Sequence, residues 1–401
     1  MGRLFIFLSI LGPGIISAFA GNDAGGTATY SVVGASFGYQ MLWLLFISGF
    51  LLVVTQVMCA RMGAVTGKGL SDLIREEFGL RWTVFAMFIL LVANIAVTIS
   101  EFAGIAASLE IFGFSRYIAV PLVSLLIWSL MVKGSYRSVE KVFIGVCLVY
   151  FSYIISGILA HPDWQAAVQG LFVPSFYLEN DFLHLAIAMV GTTVAPWMQF
   201  YLQSSIVEKG VRMKRYAYMR WDVVIGSFAA ILIAGFIIIA CAATLNVHDI
   251  RIEKAEEAAY ALIPFAGNYA AFLFALGLFA SSALGASILP LSSSYAICEA
   301  FGWENGISKK FHEAPFFYWL YTFLILFGTL FVLLPGVSLL NIMLVSQTLN
   351  GVLLPVILIF ILLLANNKRL MGEHVNHPLF NIVAWFGVVS LVLMSAMLFF
   401  L

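Results

Sequence analysis

Charge is what this 401-residue chain has least of: Asp, Glu, Lys and Arg together make up 10% of it, in equal numbers of each sign, so the formal net charge is zero. With 62% hydrophobic residues and a mean hydropathy of +1.03, the chain cannot present a water-compatible surface, which excludes a soluble globular protein. The missing basic excess also argues against a nucleic-acid partner. Cysteine is scarce as well. Cys59, Cys147, Cys241 and Cys298 lie singly within or at the ends of apolar runs, a spacing that fits neither a disulfide framework nor a zinc site. Of six histidines none lies deep in an apolar run, and only one aspartate does. An intramembrane protease would need an aspartate pair, a Ser/His arrangement or a zinc motif, so an enzyme is not expected.

What the chain does have is long apolar runs. Windows of about 20 residues, enough to cross a bilayer, fall at about 5–32, 42–60, 82–112, 117–132, 142–160, 182–206, 222–245, 268–300, 315–334, 338–365 and 379–401. This pattern predicts an all-α polytopic membrane protein with eleven spans. The N-terminal run reads as the first span rather than a cleaved signal peptide. Basic residues set the orientation, because short cytoplasmic loops carry excess Lys and Arg. With the N-terminus inside, seventeen basic residues fall on the cytoplasmic side, and only Arg116, Arg251 and Lys254 fall outside. The expected location is the cell (inner) membrane, multi-pass, with a cytoplasmic N-terminus and an extracytoplasmic C-terminus. Residues 70–78 read as a charged amphipathic stretch on the inside, and residues 248–262 as a surface helix on the outside. The abundant Phe, 36 residues, is lipid-facing and packing surface and calls for no cofactor.

Irregular backbone inside a span survives only where protein or water lines it. Residues 20–26, AGNDAGG, put Asp23 and three glycines into the first span, and a carboxylate at that depth marks function by default. Residues 191–196, GTTVAP, interrupt the sixth span before Pro196. Spans 1 and 6 open two successive sets of five. Matching interruptions in corresponding helices point to an inverted-repeat transporter with its site at the midplane. The two repeats are placed at about 5–160 and 182–366, with an extra helix at about 378–401.

These segments resemble the Nramp family of divalent metal transporters. The resemblance rests on Gly12-Pro13-Gly14, on residues 22–43, where the family's Asp-Pro-Gly-Asn falls on Asp23-Ala24-Gly25-Gly26, and on GTTVAPW at 191–197. GLFVPS at 170–175, SQTLNGVLLP at 346–355 and NKRLMG at 367–372 extend it along the chain in order. It implies a LeuT-like fold: two inverted five-helix repeats plus an eleventh transmembrane helix, with helices 1 and 6 unwound at the midplane. It also implies a metal site. Asp23 keeps the carboxylate, Gly26 stands in place of the amide ligand, and Ala195 in place of the methionine. Thr192 supplies a backbone carbonyl and Gln347 keeps the glutamine.

These departures carry a chemical expectation. A thioether favours transition metals, whereas Mg2+ prefers oxygen ligands and retains waters. One carboxylate, carbonyls, an amide and a roomy cavity suit a largely hydrated ion. The pattern is similar to the prokaryotic Nramp-related magnesium transporters, so the expected cargo is Mg2+, with Mn2+ also carried, by alternating access, and with no cofactor. Proton coupling needs a chain of titratable groups. Here Thr98 and Glu101 occupy the places of an acidic pair in the third helix, Trp197 replaces a histidine, and the ninth helix lacks the family's arginines. Passive, potential-driven uptake is therefore expected. Glu101 either faces the cation path or is satisfied by Asn94, Thr98 and Ser100. Gln347 and Asn350 share a helix face, towards the cavity or in an interhelical hydrogen bond. The expected partners are the divalent ion and the lipid bilayer, and the expected functional unit is a monomer. A proton-coupled Mn2+/Fe2+ transporter and a symporter for an organic solute on the same fold are the alternatives.

Overall fold

The computed structural model describes Gly12, Gly14, Ser17, Ala18 and residues 21–133, 151–263 and 267–400. Pro13, Cys147, and parts of the expected first and fifth spans (most of 5–20, and 142–150) lie outside the described residues. The helices, in chain order, are α1 (Ala24–Phe37), α2 (Leu42–Thr66), α3 (Leu70–Ile111), α4 (Arg116–Lys133), α5 (Phe151–Leu159), α6 (Trp164–Phe172), α7 (Asn180–Thr193), α8 (Pro196–Glu208), α9 (Tyr216–Thr244), α10 (Ala270–Phe301), α11 (Pro315–Val332), α12 (Leu339–Ala365), α13 (Lys368–Met371) and α14 (Pro378–Phe400). Among the described residues, nine helical stretches are long and apolar enough to cross a membrane, counting α7 and α8 as one. They coincide with the nine expected windows other than the first and fifth.

Burial ranks these helices by position. The apolar window of Asn180–Glu208 is wholly enclosed, whereas those of α4 and α14 are 22% buried. The interrupted pair α7–α8 therefore lies at the centre and α4 and α14 at the lipid-facing rim. Close backbone approach fixes the central packing. Gly191 on α7 lies against Gly351 on α12, where an added Cβ would come within 2.8 Å of the Gly351 Cα. Small residues at helix crossings are how membrane helices gain contact when lipid and side chain are equally apolar.

Gly79, at φ 77°, turns the chain within α3. It separates the expected amphipathic stretch, with Leu70, Leu73 and Ile74 fully buried, from the span itself. Residues 255–262 depart from expectation. They form a 3₁₀ helix whose alanines Ala258, Ala259 and Ala261 are buried with Leu262, so this outer segment packs on the bundle rather than lying free on its surface. Small side chains allow the tighter helix to sit close. α6 has no counterpart among the expected elements; Asp163 is its N-cap, and the Asp163 carboxylate accepts from Ala166 N–H at 3.0 Å.

Two motifs outside the spans are structural. Ser175 of GLFVPS accepts a hydrogen bond from Trp43 Nε1 at 3.2 Å through its carbonyl. Asn367 of NKRLMG donates to Glu77 at 2.7 Å, and Arg369 pairs with the same carboxylate at 2.5 Å. Both lock loops to the ends of neighbouring spans.

Candidate metal site

The two interruptions meet. In the first, Asp23 takes an extended conformation (φ −65°, ψ −173°), and a new helix, α1, starts at Ala24. Its first N–H groups have no partners within the helix. Asp23 Oδ1 accepts the Gly26 N–H at 2.6 Å and so caps it. In the second, α7 ends at Thr193, Val194 and Ala195 are non-helical, and Pro196 starts α8. Proline has no N–H, so the Thr192 carbonyl, four residues earlier, loses its helical partner. One break thus offers a carboxylate and helix N-terminal N–H groups, and the other offers a free carbonyl.

Side chains bind the breaks together. Thr192 Oγ1 donates to the Gly21 carbonyl at 3.2 Å, and the Tyr30 and Thr193 hydroxyls are 2.9 Å apart. Gln347 Nε2, from α12, donates to Asp23 Oδ1 at 3.2 Å, and Asn350 Nδ2 donates to Gln347 Oε1 at 3.1 Å. Gly25 makes the first of these possible, since a Cβ there would come within 2.9 Å of Gln347 Cδ. The open question about Gln347 and Asn350 resolves into a relay: an interhelical hydrogen bond that ends on the Asp23 carboxylate. Asn350 Oδ1 is buried and without a hydrogen-bond partner among the described residues.

Glu101 joins the same centre. It is fully buried on α3, its Oε2 accepts the Ala24 N–H at 3.3 Å, and its carboxyl group faces that of Asp23. It therefore sits at the positive end of α1. The alternative partners do not satisfy it: Asn94 donates to Ser293 at 2.8 Å, and the Thr98 and Ser100 hydroxyls are buried without partners among the described residues. The expectation of one carboxylate at the site is corrected accordingly, because Asp23 and Glu101 form a facing pair of carboxyl groups.

Three further expectations are corrected or refined. The space expected beside Gly26 is closed in this conformation, where a Cβ would lie 2.5 Å from the Gly21 carbonyl oxygen and 2.7 Å from Thr192 Oγ1. Asp23 is only 2% exposed. Among the described residues, neither Thr98 nor Trp197 makes a side-chain hydrogen bond to the pair. The Thr98 methyl is directed to Gly328 on α11, while the Trp197 carbonyl accepts from Ser292 at 3.0 Å and its buried Nε1 has no partner among the described residues. Ala195 is buried as the N-cap of α8, where its carbonyl accepts from Met198 N–H at 3.2 Å.

Met198 was not legible as a site residue. Its terminal methyl lies against Gly21, so a thioether side chain does reach the junction, one helical turn beyond the position where the resemblance places it. The only signal in the sequence is its place three residues after Ala195. Among the described residues no group of three or more His, Cys, Asp or Glu side chains gathers to hold a metal. Any ion here relies on carbonyl and amide oxygens as well as the carboxylates.

An all-helical multi-pass membrane protein whose two interrupted helices meet at a buried carboxylate is a transporter of the LeuT-like fold, and the known structures it resembles agree. A manganese transporter of Eremococcus coleocola superposes with a TM-score of 0.80 at 20% identity, over 98% of this chain and 87% of the other. MhsT, solved with L-phenylalanine, gives 0.63 at 15% identity, over 100% and 98% of the two chains. Mhp1, a nucleobase-cation-symport-1 family transporter, gives 0.61 at 13%, over 96% and 91%. The chain belongs to the Nramp family: the model of natural resistance-associated macrophage protein-like sequences matches residues 14–401. Divalent metal cation transporters MntH of Yersinia pestis and Yersinia pseudotuberculosis are 29% identical to it over 387 residues, covering 92% of this chain and 90% of theirs.

Proposed function

We propose that this chain is a divalent metal cation transporter that carries Mg2+, and also Mn2+, into the cell by alternating access. The observation that carries this reading is the Asp23 carboxylate, buried where the two broken helices meet and surrounded by oxygen donors. Related proteins whose names state manganese or divalent metal cation transport support the class. The choice of Mg2+ rests on the residues that differ. Gly26 and Ala195 bring no side-chain ligand, and Met198 presents its methyl to Gly21, so hard oxygen ligands dominate. The ion keeps much of its water and is held by Asp23, the Thr192 carbonyl and Gln347, with Glu101 adding the second carboxyl group and Asn350 tied to Gln347. The closed space at Gly26 means that this hydrated ion enters a more open conformation.

The same proposal places the protein in the inner membrane as a monomer with a cytoplasmic N-terminus, its two repeats spanning about 5–160 and 182–366. Uptake by proteoliposomes tests it. Mg2+ and Mn2+ enter, Cd2+ enters weakly, and a pH-sensitive dye inside the vesicles stays constant while Mg2+ accumulates. Failure of Mg2+ to enter removes the reading.

One observation favours a second reading, proton-coupled Mn2+ transport. Two facing carboxyl groups in a buried site can exchange a cation for protons. The same dye decides: stoichiometric acidification with metal entry selects this alternative.

A further inference from the structure

An apolar groove on the described structure has no charged residue in its lining. It has a volume of about 530 Å³ and runs between α2 and α14, from Trp43 and Phe176 at one end to Leu51 and Ile382 at the other. Its floor is Val190 of α7, the residue before Gly191 and two before Thr192. Ser48 and Ser390 are its only hydroxyls, and Ser48 Oγ already donates to the Leu45 carbonyl at 2.9 Å. The rest of the lining apart from Ser390 is apolar, which suits hydrocarbon better than water. The groove opens between Phe50 on α2 and Phe386 and Leu393 on α14, each more than half exposed on the lipid-facing side of the bundle.

Its shape selects the occupant. The lining run on α14 from residue 382 to 397 is roughly 22 Å long at 1.5 Å per residue. Spread over that length, the volume has a mean cross-section of roughly 24 Å², far below that of a helix about 10–12 Å across. A single hydrocarbon chain fits, and a helix from a second copy does not. Trp43 and Phe176 stand at the end where a headgroup would emerge, with the indole N–H held by the Ser175 carbonyl. Aromatic side chains with one polar edge belong at that depth of a bilayer.

We infer that this groove is a binding site for one acyl chain of a bilayer phospholipid, inserted from the leaflet on the side of the α2 N-terminus. Bound there, the chain packs directly on the half of the interrupted helix that carries Thr192. Lipid composition thereby reaches the ion site through Val190. This holds whichever ion is carried.

The test is photolabelling of the full-length protein in vesicles containing a phosphatidylglycerol with a diazirine in mid-chain, followed by peptide mapping. Label is expected on the enclosed residues Leu44, Leu51 and Leu391 at more than five times the yield on Leu122 and Leu126, which face bulk lipid on α4. Ser390→Trp fills the groove and lowers that yield at least fivefold, leaving α4 labelling unchanged; Ser390→Ala leaves both unchanged. Equal yields on the two surfaces in the wild type overturn the inference, as does groove labelling that Ser390→Trp leaves intact in a protein that still elutes as a single folded species. Free fatty acid carrying the same diazirine, if it alone labels the groove, also overturns the phospholipid assignment. So does a dimer whose dissociation is needed before the groove labels.

Discussion

The two helix breaks differ in what they expose. At the break before α1 the chain presents a helix N-terminus: Asp23 caps it through Gly26, and Glu101 sits against the Ala24 N–H. At the break between α7 and α8 it presents a helix C-terminus, where Pro196 leaves the Thr192 carbonyl without its helical partner. One side gathers carboxylates around N–H donors and the other offers an acceptor. A cation between them takes charge from the first and a dipole end from the second. The difference teaches that Asp23 has two tasks, because the oxygen that caps α1 also receives Gln347. A capping role alone would explain an aspartate here. Separating the cap from the charge is the way to break the comparison.

Asp23→Asn does that. Asparagine caps helices as well as aspartate does, so the fold stays within about 1 kcal/mol of wild type by thermal unfolding in detergent. Metal uptake nevertheless falls by about 100-fold, since losing a charge-assisted ligand costs roughly 3 kcal/mol. Uptake near the wild-type rate would reduce Asp23 to a cap. Glu101→Gln sharpens the same side. It keeps an oxygen for Ala24 N–H while removing the second titratable carboxyl group, and uptake falls by about 10-fold, equivalent to roughly 1.4 kcal/mol. If the variant also abolishes a proton flux seen in the wild type, the proton-coupled reading gains.

The break at α7–α8 is probed by adding what it lacks. Ala195→Met restores a thioether, and Cd2+ affinity measured by calorimetry rises by about 10-fold, as expected for a soft ligand and a soft ion. The parallel change Gly26→Asn is a poorer probe, because its Cβ would meet the Gly21 carbonyl and Thr192. Thr193→Val has the smallest effect on selectivity. It removes the hydrogen bond to Tyr30 and the one Thr193 donates to the Met189 carbonyl, costing about 1–3 kcal/mol of stability and leaving ion selectivity unchanged.

Much of this arrangement was legible because it is written in local chemistry. Gly and Pro inside apolar runs mark breaks, a carboxylate there marks a site, and 20-residue windows mark spans. Asp23, Thr192 and Gln347 were placed together through the resemblance, and the structure brings them together. What was hidden depends on which helix faces which. Glu101 meets Ala24 only because α3 packs on α1, and the sequence of α3 alone does not say which neighbour the face shared by Thr98 and Glu101 meets. Met198 lies 177 residues along the chain from Gly21 (198 − 21). The closed space at Gly26 depends on the conformation, which residue volumes alone do not determine. The groove between α2 and α14 arises only where the two helices meet, which the sequence of neither shows alone.

The central claim is that the carboxylate between the two breaks binds the transported divalent cation. Calorimetric titration of the purified protein with Mg2+ and Mn2+, alongside Asp23→Asn, tests it most directly. The account predicts saturable binding of both ions to the wild type and none to the variant, with the variant's unfolding temperature essentially unchanged. Undiminished Mg2+ binding to a folded Asp23→Asn protein would contradict it.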